Sequence, residues 1–224
     1  MATFVLVHGA FGSSAELAPV IPEIEALGRR AIAVDLPCTD PAATLDDYAR
    51  TVVEAMAEIE ALVVVVGHSA GGAVISLVPD RTRVDRLVYV TAVVPEPGRS
   101  IVDLAGADVR ETILSVSHDD GNGCRSFDLE ILASLAPPEE REAYLSFLRA
   151  TQRPQGWSAM EQPWPGRSLP DVSRTYVLCT EDKIIPPAKQ RETAAHLGVE
   201  PIEIASDHAV FSLRPRELAA VLVR

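Results

Sequence analysis

The chain has only three cysteines, Cys38, Cys124 and Cys179, widely spaced and with no C-x-x-C pair. That pattern excludes a disulfide-built scaffold and a cysteine metal site, and it suits reduced thiols in a core or loop. No apolar run approaches the roughly 20 residues that cross a bilayer. The opening MATFVLVHG has no basic stretch ahead of an apolar one and runs straight into a strand pattern. No targeting segment is therefore expected, and the expected compartment is the cytoplasm. Positive charge is scarce. Lysine occurs only at Lys183 and Lys189, and Lys plus Arg number 20 against 32 Asp plus Glu, a net charge of −12. Such a chain has no long-range attraction for nucleic acid or an anionic membrane, so neither is expected as a partner. Internal repeats and low-complexity tracts are also absent.

What is present suits one domain with a full core: 224 residues, 47% of them apolar. Valine-rich strands over 3–7, 30–37, 62–67 and 86–92 alternate with helical patterns over 15–27, 46–61 and 70–78. That alternation predicts a parallel sheet covered on both faces. It breaks at Pro95. Residues 95–173 hold both tryptophans, turn-rich stretches such as HDDGNGC, and helical patterns near 101–114, 127–135 and 138–150. They read as an insertion over the sheet edge. Strand 175–179, helix 187–197, strand 201–205 and helix 214–223 then restore the pattern. The expected organisation is a core of 1–94 and 174–224 with a helical cap insertion over 95–173.

The stretch VVVVGHSAGGAV, residues 63–74, puts Ser69 between a strand and a helix with Gly67 and Gly71 two residues either side. This is the G-x-S-x-G pattern in the context of a nucleophile elbow, a strained turn that exposes a serine oxygen at the C-terminal edge of a sheet. The bland alternative is a serine N-cap in a glycine-rich turn. A serine nucleophile needs a base. Of the five histidines, His8 suits bracing of a loop and His68 points away from its neighbour Ser69. His118 belongs to a solvated turn and His196 to a helix end. His208, in ASDHAVF after the last strand, comes out at the same sheet edge as Ser69. The orienting acid is Glu181 or Asp182, just past strand 175–179; Asp171 precedes its strand, and Asp207 adjoins the histidine too closely.

The segments FVLVHGAF, GHSAGG, YVLCTEDKIIPPAKQ and SDHAVFSLRPRELAAVL resemble the α/β-hydrolase superfamily. The similarity is to its branch of plant methylesterases, the salicylate-binding esterase and hydroxynitrile lyases, with their bacterial relatives. The resemblance implies an α/β-hydrolase fold with a mostly parallel six-stranded sheet, a cap over the pocket, no metal and no cofactor. It selects Asp182 over Glu181 as the acid, and assigns the oxyanion donors to the Ala10 and Ala70 N–H groups. Gly9, Phe11, Leu36, Trp157 and Trp164 are the expected pocket lining. The branch continues HGA with a histidine and tryptophans, whereas this chain has Gly12, Ser13, Ser14 and Ala15.

The expected reaction is hydrolysis of a small carboxylic ester through an acyl-enzyme on Ser69, with His208 and Asp182 completing the triad. Two rivals stay open: a cofactor-free lyase or cyclase acting on a small natural-product-like substrate, and a non-catalytic small-molecule receptor. The related hydroxynitrile lyases carry a threonine in place of Gly9 and a lysine in place of Ala209. Assembly as a homodimer also stays open.

Overall fold

Strand residues alternate between two apolar clusters, one on each face of the sheet. Val5, Val7, Val63, Val65, Leu87, Tyr89, Tyr176 and Leu178 enter one; Phe4, Leu6, Val64, Val66, Val88, Val90, Val177 and Cys179 enter the other. That period of two, apolar on both sides, is why each strand reads as a continuous hydrophobic run. The computed structural model describes residues 2–134 and 138–224.

In chain order the first half runs β1 (Ala2–Val7), α1 (Ser14–Leu17), α2 (Ile21–Ala26), β2 (Arg30–Val34), α3 (Leu45–Ala55), β3 (Leu62–His68), α4 (Gly71–Ile75) and β4 (Arg86–Val90). The insertion holds α5 (Ile101–Ala105), α6 (Ala107–Ser115), β5 (Ser117–Asp119), β6 (Cys124–Phe127), α7 (Leu129–Ser134), α8 (Arg141–Thr151), β7 (Gln155–Gly156) and α9 (Ser158–Glu161). The core resumes with β8 (Ser173–Cys179), α10 (Pro187–Leu197), β9 (Ile202–Ile204), α11 (Val210–Leu213) and α12 (Pro215–Leu222). The main sheet has six strands in the order β2-β1-β3-β4-β8-β9, every pair parallel. From β1 the chain steps to one side to form β2, then returns to β3 and steps the other way. The C-terminal ends of β1 and β3 therefore flank the point where strand order reverses, where such sheets place their ligand crevice.

Several expected boundaries shift for local reasons. The helix expected over 15–27 is divided: a 3-10 turn over Ala18–Val20 and then α2 each carry a proline in the first turn, where a missing N–H costs nothing. The pattern over 101–114 breaks at Gly106, whose φ of 102° closes α5 before α6 begins. Besides the five helices of the expected helical cap, the described residues of the insertion carry a small sheet. β5, β6 and β7 form a three-stranded antiparallel sheet, and Gly121 and Gly123, at φ 75° and 89°, turn the chain between β5 and β6. Of the helices expected over 127–135 and 138–150, the last position of the first, 135, lies outside the described residues; α7 falls within the first range and α8 fills most of the second. Among the described residues no helix is long and apolar enough to cross a membrane.

The insertion is tied to the loops after β1 and β2. Arg153 N–H donates to Phe11 O at 2.8 Å, Ser13 Oγ to Thr151 O at 2.7 Å, and Gly156 N–H to Cys38 O at 2.6 Å. These bonds hold it against the C-terminal edge of the sheet. All three cysteines are buried and free.

Candidate active site

Ser69 stands immediately after β3 with φ at 52°, one of three non-glycine residues with positive φ among those described. A side chain held in this region is strained, and the surroundings must impose it. They do so through backbone bonds: Ser69 N–H donates to Val90 O at 3.3 Å, and Ser69 O accepts from Val93 N–H at 3.0 Å. The flanking glycines are required by space. A Cβ on Gly67 would lie 2.8 Å from Gly71 O, and one on Gly71 only 2.6 Å from His8 O. Helix α4 can begin this close to β1 because neither residue has a side chain.

His208 lies in the loop between β9 and α11. Its Nδ1–H donates to Asp182 Oδ2 at 2.7 Å, which leaves Nε2 as the ring nitrogen able to accept a proton. Asp182 sits at the end of β8 and is buried, whereas Glu181 beside it is exposed. Five donors converge on the Asp182 carboxylate. Oδ1 accepts from the N–H groups of Ile184 and Ile185 at 2.7 and 2.9 Å. Oδ2 accepts from His208, from Thr91 Oγ1 and from Gln190 Nε2. Burial pushes the carboxyl upward, but the bonds from His208, Thr91 and Ile185 outweigh it and hold Asp182 below the usual carboxylate range. The ionised form of Asp182 is therefore favoured. Asp207 instead accepts from the N–H of His208, and Asp171 is exposed before β8.

Thr91 and Gln190 escaped the sequence reading. Thr91 is fully buried at the end of β4, with φ at 39° aiming its hydroxyl at Asp182. Gln190 is fully buried on α10 and takes Cys179 N–H at 3.0 Å while its own amide reaches Asp182. An isolated threonine at a strand end and a glutamine inside a helix give no local signal for these contacts.

The loop after β1 faces Ser69. A Cβ on Gly9 would lie 2.8 Å from Ser69 Cβ and 3.3 Å from its Oγ, so the backbone of this loop lies directly against the serine. His8 braces the loop: Nε2 accepts from Leu36 N–H at 3.0 Å, which puts the proton on Nδ1 for donation to Gly9 O at 2.8 Å. Burial lowers the imidazole's pKa, in keeping with this neutral form. Phe11 N–H is taken by Gln155 Oε1 at 3.2 Å. Among the described residues, the N–H groups of Ala10 and Ala70 donate to no protein acceptor. Ser69 Oγ likewise has no hydrogen-bond partner among the described residues. Nucleophile–base bonds in unliganded sites often tighten only when substrate binds.

Of the expected lining residues, Phe11 stacks on Phe127 with ring centroids 4.0 Å apart, and Trp157 lies 6.3 Å from Phe11. Leu36 is buried within the apolar cluster that includes α3. Trp164 is a correction: its indole N–H donates to Ala73 O at 3.0 Å and its ring is 2% exposed, so it packs in the core instead of walling a pocket. Among the described residues no group of three or more His, Cys, Asp or Glu is placed to hold a metal ion.

Comparison with known proteins agrees with this architecture. The sequence matches the alpha/beta hydrolase family over residues 4–221. It is 28% identical to a pyrethroid hydrolase of Sphingobium wenxiniae, covering 97% of this chain and 85% of that protein. It is 27% identical to salicylic acid-binding protein 2 of Nicotiana tabacum, over 98% of this chain and 95% of the relative. The solved structure of an extracellular alpha/beta-hydrolase from a Paenibacillus species superposes with a TM-score of 0.84 at 21% identity, covering 100% of this chain and 98% of the other. That last likeness shows the shared fold.

Proposed function

Because the chain belongs to the alpha/beta hydrolase family, we propose that it is a carboxylic ester hydrolase that cleaves a small ester through an acyl-enzyme on Ser69. The observation that carries this reading is the 2.7 Å bond from His208 Nδ1–H to the buried Asp182, at the sheet edge where Ser69 is held in a strained turn. Relatives named as a pyrethroid hydrolase and as methylesterases support the same reaction class.

Ser69 Oγ attacks the ester carbonyl while His208 Nε2 takes its proton. Asp182 keeps the imidazole in the tautomer with Nδ1–H and stabilises the positive charge that forms. The oxyanion lies against the Ala10 and Ala70 N–H groups, which donate to no acceptor among the described residues and so are ready to donate. His208 returns the proton to the leaving alcohol, then draws a proton from water as that water attacks the acyl group, and passes it to Ser69 Oγ as the Oγ–acyl bond breaks and the carboxylic acid leaves. Residues 95–173 serve as the cap. Gln155 and Arg153 clamp Phe11 from both sides, so the cap and the oxyanion loop hold one another in place.

The space at Gly9 argues against cyanohydrin cleavage. A threonine there would begin with a Cβ 2.8 Å from Ser69 Cβ, and Ala209 brings no cation beside His208 for a departing cyanide. Lys183 is exposed. The expected result on one preparation is measurable hydrolysis of p-nitrophenyl acetate with mandelonitrile cleavage near background. Ser69-dependent cyanide release without esterase activity would replace the esterase reading with the lyase one.

Gly9 supplies a second check. Ser69 Cβ cannot swing away as a long side chain can, so Gly9→Ala must shift the loop or the elbow. Misplacement on the scale of 1 Å costs about a hundredfold in rate. The expected loss in kcat/KM for Gly9→Ala is of that order. A variant with unchanged kinetics would mean that the loop tolerates a side chain against the serine.

A further inference from the structure

His68, next to Ser69 in sequence, makes its own set of contacts. Its Nε2–H donates to the backbone carbonyl of His208 at 3.0 Å, and the two rings have centroids 4.7 Å apart. Its Nδ1 lies 2.9 Å from Glu16 Oε1, with side-chain exposures of 4% for His68 and 12% for Glu16. Nδ1 has no well-aligned hydrogen-bond partner, so this contact is ionic and not a directed bond. Glu16 belongs to α1, directly after the loop that carries Gly9 and Ala10. Its own backbone carbonyl accepts from Ser212 Oγ of α11 at 3.3 Å, and its carboxylate fills the space beside Gly12 that a Cβ would need.

A buried carboxylate and imidazole are costly unless each compensates the other. Nothing in the ester-cleaving chemistry uses either group. Resting on the hydrolase reading above, we propose that Glu16 and His68 are a positioning pair for the base: His68 anchors the His208 loop through the His208 carbonyl, and Glu16 balances the His68 charge beside the His208 ring. The pair also ties α1, and through it the oxyanion loop, to the loop that carries the base. Burial pushes the His68 imidazole down and the Glu16 carboxyl up, yet their mutual attraction outweighs both, so the charged form of each is favoured.

The sign of the effect follows from the groups around His208. Asp182 and Asp207 lie on the chain segments nearest its ring and backbone. Glu16 and His68 face it from α1 and β3, His8 is within electrostatic reach of Glu16, and Tyr144 of α8 is within electrostatic reach of Asp207 and Glu16. Removing the positive charge of His68 alone leaves the Glu16 anion unbalanced, which favours protonated His208. The His68→Gln variant keeps a donor for the His208 carbonyl but loses that charge. The acid limb of its kcat/KM profile is expected to move up by about one pH unit. In Glu16→Gln/His68→Gln the limb returns to within about 0.3 unit of its original place. The His68→Leu variant loses the donor as well. Its kcat is expected to fall by about tenfold with KM within about twofold, and His68→Gln should recover most of that kcat at its own optimum.

Nitrogen-15 shifts of the imidazoles give a readout in the unmutated protein that needs neither turnover nor a substituted chain. Both ring nitrogens of His68 should be protonated at pH 7. A neutral His68 at that pH, or an acid limb that stays in place in His68→Gln, would overturn the pair. Wild-type turnover in Ser69→Ala would instead overturn the hydrolase reading, and the two failures are told apart by that variant.

Discussion

Ser69→Ala is expected to lower ester turnover by at least about a thousandfold while leaving the thermal unfolding midpoint unchanged. The backbone side of this expectation is specific. Alanine has the same Cβ as serine, so it adds no new contact to a turn already held at φ 52° by Val90 O and Val93 N–H. The oxygen it removes makes no hydrogen bond within the described structure, so no partner is left unsatisfied. What goes is the nucleophile. The Ala10 and Ala70 N–H groups remain to polarise a bound carbonyl, which is why a residue of catalysis over water survives. Fluorophosphonate labelling and p-nitrophenyl acetate kinetics on the folded variant measure both halves. Wild-type turnover in Ser69→Ala would remove the acyl-enzyme mechanism. An unreactive Ser69 in the unmutated protein would favour a receptor built on this fold.

The elbow was legible because its signal is local: a valine run, two glycines at fixed offsets and a serine between them. Chain order pointed to His208 and narrowed the acid to Glu181 or Asp182, since the ends of β8 and β9 meet at one edge of a parallel sheet; the family resemblance chose Asp182 between them. The supports were not legible. Thr91 and Glu16 reach partners distant in sequence, 91 residues away for the Thr91 bond to Asp182, and Gln190 reaches Asp182 across a loop from 8 residues away. Nothing in the residues flanking them sets this threonine, glutamine or glutamate apart from others of their kind. The same limit explains Trp164. A tryptophan in an insertion gives the same pattern whether it walls a pocket or, as here, caps the carbonyl of Ala73. Helix boundaries failed where periodicity outlasted the helix. Ile59 packs on the core beyond the end of α3 at Ala55, with the chain already turning through Ile59 N–H to Met56 O. The apolar spacing continued and the helix did not.

Asp182→Asn is expected to cost up to about ten-thousandfold in kcat/KM, and Glu181→Gln close to nothing. Asp182 is an acceptor surrounded by donors: two backbone N–H groups on Oδ1 and His208, Thr91 and Gln190 on Oδ2. An amide cannot satisfy that set, because one of its two ends is itself a donor. With the NH₂ toward His208, the imidazole must accept at Nδ1 and carry its proton on Nε2, the wrong nitrogen for a base. With the NH₂ toward Ile184 and Ile185, two donors face a third and the loop loses its anchors, at about 1–3 kcal/mol for each group left unsatisfied. Stability against pH checks the same site with a fixed sign. The Asp182 carboxyl is held below its ordinary value, so the stability it contributes is present above the ordinary carboxylate range and lost as pH falls through the lowered folded value. The gap in unfolding midpoint between the unmutated protein and Asp182→Asn should therefore narrow on acidification. Glu181 is exposed and its side chain makes no such contacts among the described residues, so its variant should track the unmutated protein in rate and in stability. Steady-state kinetics that ranked the two variants the other way would assign the acid to Glu181, and with it the orientation of His208 would need a different source.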